Sequence, residues 1–384
     1  MTNDTTRWLL PSTFVVVIVM VALLTAPTAA RGTLPPALEP EGFIRSALYA
    51  VGDNPFTIVT GDINGDGYPD LAVTDYTSGT ISLLLNTSDG TFVDAPPYSS
   101  GVGSFGLALA DIDGDTTLDV VVTNQSSGVL SVLYNRGDGM LESRTELPAG
   151  GSPHTVTIAD FNGDSLPDLA AANYQVGTVS VFLNQGEGRF ADRVLLQTHD
   201  APFSVLAVDV DGAGNPDLVT TSYGEGFLDI LWNDGNGVFA MRTAYEMGVS
   251  LWSVAAADFS GNGAQDLVVT QYSTGTVTVL LNDGSGSFQD SVDYDTSGVG
   301  PCWAAPCFVD GDGAPDIAVV DASTHSLAIL LNNGDGTFRA GGEFETGGKG
   351  PSSVVAADFN GDGRDDLAVA HWESNDVAVF LNKS

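Results

Sequence analysis

The sequence predicts an all-β chain, a seven-bladed β-propeller of four-stranded blades closed by an N-terminal strand that completes the last blade. Three observations carry this. The phrase D-x-N-G-D-G-x-x-D-L returns in full or degenerate form at Asp62, Asp111, Asp160, Asp209, Asp258, Phe308 and Asp358. The intervals are 49, 49, 49, 49, 50 and 50 residues, too regular for chance and enough for seven equal units. No segment beyond the leader sustains a helical period, which excludes helical solenoids. At 384 residues the chain also exceeds the usual size of one hydrophobic core, so repetition must organise it.

The first element in chain order is a leader. Arg7, the apolar run Phe14 to Leu24 and the small residues Thr28-Ala29-Ala30 resemble a signal peptide spanning residues 1–30. The protein is therefore expected to be secreted or at the cell surface, with no membrane insertion after cleavage. The alternative is a retained anchor, but eleven unbroken apolar residues fall short of the roughly 20 that a spanning helix needs. Residues 31–42, with Pro35, Pro36 and Pro40, read as a short stiff linker.

The propeller then spans residues 43–384. Within its first unit, Phe56 to Thr60 is a β-prone run, Asp62 to Asp70 an acidic loop, and Leu71 to Thr74 a second strand. A turn at Ser78-Gly79 leads to the strand Thr80 to Asn86. Ser88-Asp89-Gly90 then turns the chain into a weaker fourth strand. Four antiparallel strands per unit make one blade. The seventh unit stops at Ser384, where the others continue into an outer strand, while Phe43 to Ala50 is a spare strand ahead of the first unit. That segment is expected to complete blade seven and remove the open edge.

Composition narrows the function. With 49 Asp+Glu against 12 Lys+Arg the formal charge is −37, which repels phosphate backbones and anionic headgroups and argues against nucleic-acid partners. The acids recur at fixed spacing, as residues placed for cations would. Cys302 and Cys307, the two cysteines, are five apart in a predicted strand and are expected to remain free thiols, so no disulfide framework supports the fold.

A nine-residue loop with oxygens at positions 1, 3, 5 and 9, and a glycine for the sharp turn, is what a hard cation such as Ca2+ requires. Four loops are complete: Asp62, Asn64, Asp66 and Asp70; Asp111, Asp113, Asp115 and Asp119; Asp160, Asn162, Asp164 and Asp168; and Asp358, Asn360, Asp362 and Asp366. These are expected to bind calcium strongly. The other three are expected to be weak or empty, because Ala213, Ser260 with Asn262, and Phe308 each cost charge or a ligand. The alternative for any such loop is an Asx-type turn without metal. Zinc is not expected, since no Cys/His cluster has ligand spacing.

These loops, with the L-x-N-x-G-D-G-x-F turns that follow, as in Leu331-Asn332-Asn333-Gly334-Asp335-Gly336-Thr337-Phe338, resemble the FG-GAP or VCBS repeats of integrin alpha-subunit propeller heads. The resemblance covers residues 43–384. It implies calcium between the first two strands of a blade and roles in adhesion or ligand recognition. Literal Phe-Gly and Gly-Ala-Pro tripeptides hardly appear and the integrin stalk is absent, so an integrin-like receptor is not implied.

The face opposite the acidic loops is expected to carry aromatic residues. Phe56, Phe105, His154, Phe203, Trp252, Cys302 and Ser352 stand where the innermost strands begin, with Trp303 beside them. Tyr76, Tyr174, Tyr223, Tyr272 and Trp372 stand in the loops between second and third strands. Such rings suit stacking on sugars or burial by a protein partner, and the alternative is packing between blades. Candidate ligand-binding residues are Tyr76, Tyr174, Tyr223, Tyr272, Trp372, Trp252 and Trp303.

No catalytic motif is visible. Gly101-x-Gly103-x-x-Gly106 matches a dinucleotide pattern by letter but precedes a strand, and the four histidines lie scattered in different blades. The expected function is extracellular, monomeric, calcium-stabilised recognition of a glycan or an extracellular protein, without turnover. The alternatives are a polysaccharide lyase or hydrolase on the same scaffold, or a structural surface protein.

Overall fold

The computed structural model describes residues 42–248 and 250–383. The signal-peptide and linker assignments, residues 1–30 and 31–42, fall outside them apart from Gly42.

The described residues form seven antiparallel sheets and no helix. Their innermost strands are Pro55–Gly61, Ser104–Ala110, Pro153–Ala159, Pro202–Val208, Leu251–Ala257, Pro301–Cys307 and Pro351–Ala357. Each packs beside the next, and the last beside the first, so the blades close into a ring. Chain order runs outward from the axis in the first six blades, and through the first three strands of the seventh.

Burial follows this layout. Second strands such as Asp70–Asp75 are buried along their whole length, because neighbouring blades cover both faces; hence their near-continuous apolar sequence rather than alternation. Inner strands are buried where they begin and half-buried towards the acidic loops. The core is a set of interblade layers. Ile58, Leu71, Val73 and Leu84 of blade one, for example, pack with Phe359, Ala368, Val377 and Val379 of blade seven. Fully burying one such side chain contributes about 1.5–3 kcal/mol.

The predicted closure is present. Phe43–Ala50 lies antiparallel on Asp376–Asn382, pairing Phe43 with Asn382 and Ala50 with Asp376. Phe43 stacks on Phe344 of blade six, while Tyr49 meets Phe92 of blade one edge-on and its hydroxyl accepts the Phe92 N–H. The closing strand thus engages both neighbouring blades.

The outer strand of blade one is weak, as expected, and divided. Phe92–Asp94 and Tyr98–Ser99 both pair with Thr80–Asn86. Pro96 and Pro97 fall between them and supply no N–H to the ladder.

A candidate metal face and an opposite aromatic face

Every acidic segment joins a first strand to a second, so all seven loops emerge on one face of the ring. In loop one, Asp62 accepts the N–H groups of Asp66 and Gly67 at 3.0 and 2.9 Å, Asn64 that of Asp66, and Asp66 that of Tyr68. Gly67, at φ +91°, supplies the left-handed residue that this tight path demands. Loops two, three and seven repeat the pattern around Asp111, Asp160 and Asp358. The Asx turns therefore form, yet a carboxylate oxygen accepting one N–H keeps a lone pair for a cation.

Donor chemistry and spacing fit a hard ion. Oxygens of Asp111, Asp113 and Asp115 lie within 4.8 Å of one another. Ligands held at about 2.3–2.6 Å from one calcium ion can be no more than about 5 Å apart. Loop four, expected to be weak or empty, gathers oxygens of Asp209, Asp211 and Asp217 within the same 4.8 Å, while Ala213 offers none at position five. One oxygen of Asp209 is buried without a hydrogen-bond partner. In loop six, Phe308 is half exposed at position one and its N–H turns to Asp365 of the next loop, 2.8 Å away.

Position nine is buried throughout. One oxygen of Asp70 accepts the N–H groups of Ile63 and Asn64, and the other accepts that of Asn86. Asp119, Asp168 and Asp366 are held alike by Ile112 and Asn135, Phe161 and Asn184, and Phe359 and Asn382. Burial nevertheless raises all four carboxyls to about 6, and the charged side chains earlier in each loop push in the same direction. Carboxylates that face one another in this way are what a bound cation relieves.

The asparagine that closes the third strand was legible only as part of a turn motif. Its amide bridges blades: Asn135 Nδ2 donates to the Ile63 carbonyl in the preceding blade's loop, at 2.6 Å, and to Leu118 within its own blade. Asn86 makes the same contact to Phe359. Two stretches, Asn86-Thr87-Ser88 and Asn124-Gln125-Ser126, match the acceptor pattern for N-glycosylation. Asn86 and Asn124 are 4% and 0% exposed and their Nδ2 atoms are engaged, so neither can carry a glycan in the folded protein.

On the other face the two aromatic sets interlock. Rings run from Trp372 to Phe56 (6.3 Å), Phe105 (3.7 Å) and His154 (4.6 Å), on to Tyr174 and Phe203, then to Trp252 (4.8 Å) and Tyr272 (4.6 Å). The run breaks at blade six, which offers Cys302 and Ala322. Phe56, Phe105, Phe203 and Trp252 are buried, so Trp252, expected among the ligand-binding residues, packs inside the ring instead. Tyr76, Tyr174, Tyr223, Tyr272, Trp303 and Trp372 are half-buried and keep one side towards solvent. His154 is fully buried, stacked on Tyr174, with both ring nitrogens unpartnered; burial lowers its pKa to about 3 and keeps it neutral. Gly106 lies within the strand Ser104–Ala110 rather than ahead of it, and its lack of a side chain admits the His154 carbonyl. Both cysteines are buried free thiols.

The geometry defines a repeat propeller, and its sequence places it further. The FG-GAP-like repeat matches residues 62–122, 111–171, 160–220, 209–269 and 309–369, and the chain belongs to that family. No curated protein sequence matches it. Among solved structures it is similar to virginiamycin B lyase from Staphylococcus aureus, at 12% identity and TM-score 0.61, over 88% of this chain and 99% of that one. It is also similar to an Agrocybe aegerita lectin described as recognising non-reducing terminal N-acetylglucosamine, at 21% identity and TM-score 0.56, over 84% and 86% of the two chains. A Lactobacillus plantarum protein aligns at 14% identity and TM-score 0.57, over 87% of this chain and 91% of that one. These likenesses are of fold. Among the described residues no helix is long and apolar enough to cross a membrane.

Proposed function

We propose that this chain is an extracellular, calcium-binding recognition propeller. Calcium in the acidic loops would fix one face, and the aromatic face opposite would bind a glycan or protein ligand without turnover. The observation that carries the ligand reading is the collar of Tyr76, Tyr174, Tyr223, Tyr272, Trp303 and Trp372, half-buried around the axis on rings locked beneath them. A flat ring held rigid on one side and wet on the other stacks on sugar at small entropic cost. The lectin of similar fold makes a terminal amino sugar a reasonable first probe.

The residues that would hold calcium are Asp62, Asn64, Asp66 and Asp70 and their counterparts in loops two, three and seven, with Asp209, Asp211 and Asp217 in loop four as a further set. The ion would supply positive charge to loops that are otherwise self-repelling. Secretion is proposed from the leader sequence alone, residues 1–30.

A glycan array followed by titration of each hit tests the ligand reading. Saccharide binding lost in Tyr76→Ala and Trp372→Ala, with unfolding temperatures kept, is the expected result. Binding unchanged by both substitutions would move the site elsewhere, and chemical conversion of a bound saccharide would favour the lyase or hydrolase.

A further inference from the structure

Asn135 touches two acidic loops at once. Its backbone N–H donates to Asp119 Oδ1 in its own blade at 2.8 Å, and its Nδ2 donates to the Ile63 carbonyl of loop one. The peptide that carries this carbonyl also carries the Asn64 N–H, which donates to Asp70 Oδ2 at 3.1 Å. Asp70 Oδ1 accepts the N–H of Asn86, whose Nδ2 reaches the Phe359 carbonyl of loop seven at 2.9 Å. The circuit continues through Asp366 and Asn382 to Val309, and through Asp316 and Asn332 to Phe259. From there Asp266 and Asn282 lead to Val210, Asp217 and Asn233 to Phe161, and Asp168 and Asn184 to Ile112, whose N–H donates to Asp119. Position-nine carboxylates and third-strand asparagines thus alternate in one circle through all seven loops, linked by hydrogen bonds and by the backbone of the residue at loop position two, with one peptide making both contacts in loops one and five.

A hydrogen-bonded chain polarises along its length, and a peptide pinned at both ends passes a displacement from one end to the other. We propose that each third-strand asparagine is a positioning residue for the cation loops of two adjacent blades, so that an ion in one loop raises the affinity of its neighbour. This rests on the loops being cation sites. An ion in loop two draws on Asp119, Asp119 holds the Asn135 N–H, and the Asn135 amide then fixes the Ile63–Asn64 peptide that orients Asp70 in loop one.

Tyr68, 36% exposed at position seven of loop one, supplies a local reporter, because a tyrosine beside a bound Tb3+ ion, a stand-in for Ca2+, sensitises its luminescence. Tyr68→Phe assigns the loop-one share of the signal. Emptying loop two with Asp113→Ala and Asp115→Ala is expected to raise the Tb3+ midpoint of loop one about fivefold or more. In the Asn135→Ala background the same pair of substitutions is expected to leave that midpoint in place. Should Asn135→Ala not fold, Asn135→Asp removes the donor while keeping an acceptor for the Gly137 N–H. Equal loop-one midpoints with loop two intact or emptied, in protein that retains Asn135, would overturn the coupling and leave the cation reading standing. Absence of any Tyr68-dependent luminescence would overturn the cation reading, and the coupling with it.

Discussion

Asn135 Nδ2 lies 2.6 Å from the carbonyl oxygen of Ile63, a residue 72 positions earlier in the neighbouring blade. Ile63 is 1% exposed, so that carbonyl has no water to turn to. Removing the donor leaves a buried acceptor unpaired, which costs about 1–3 kcal/mol. Asn135→Ala is therefore expected to lower the unfolding free energy by that amount, read as a lower urea midpoint with an unchanged slope. A midpoint equal to that of the wild type would show that the clasp contributes nothing to the ring.

Phe161 at loop position two is 0% exposed and meets Phe239 edge-on, with centroids 5.6 Å apart. Truncating a buried phenylalanine removes its transfer energy and leaves a cavity. Phe161→Ala is expected to destabilise the fold by about 3–5 kcal/mol, whereas Phe308→Ala, at a half-exposed position, should change stability by less than about 1 kcal/mol. Equal losses in the two variants would contradict the burial described.

Asp321 closes the second strand of blade six, fully buried. Burial raises its carboxyl from 3.8 to about 7, only partly offset by the Thr296 hydroxyl, and the charges of Glu343 and Asp295 add to the rise. A carboxyl whose pKa is raised by folding contributes stability below about pH 4, and that contribution is lost as pH climbs through about 7. Asp321→Asn should therefore gain stability over the wild type at pH 8, on the order of 2 kcal/mol, and gain little at pH 4. Asn124 and Asn173 fill the same position in blades two and three. A variant equally stabilised at both pH values would refute this charge cost. Asp75, raised to about 6 by burial, should show the same trend over a lower window.

A glycan on Asn86 would have to displace its hydrogen bonds to Pro69 and Phe359. Expressed in a glycosylating secretory host, the folded protein is expected to show no mass addition at Asn86 or Asn124. A correctly folded, glycosylated species would contradict the closed interblade contact.

The blade count, the closing strand Phe43–Ala50 and the loop positions were all legible, because each repeats a local pattern of turn residues, acids and β-prone runs. What escaped the sequence depends on contacts across blade boundaries. Asn135 looks like a turn residue until Ile63 is seen opposite it. Trp252 looks like a surface anchor, yet Phe203 and Tyr272 enclose it. Loop four lacks a ligand at Ala213, as its sequence says, yet oxygens of Asp209, Asp211 and Asp217 lie within 4.8 Å of one another, a distance that spacing alone does not give.

The central claim is that the acidic loops hold calcium, and thermal unfolding in millimolar calcium against excess chelator tests it most directly. Each specific site adds about 2.7 kcal/mol when calcium stands at 100 times its dissociation constant, so several sites together should raise the midpoint strongly. The account predicts that rise, diminished when Asp111, Asp113 and Asp115 are replaced by alanine; identical midpoints in calcium and chelator would contradict it.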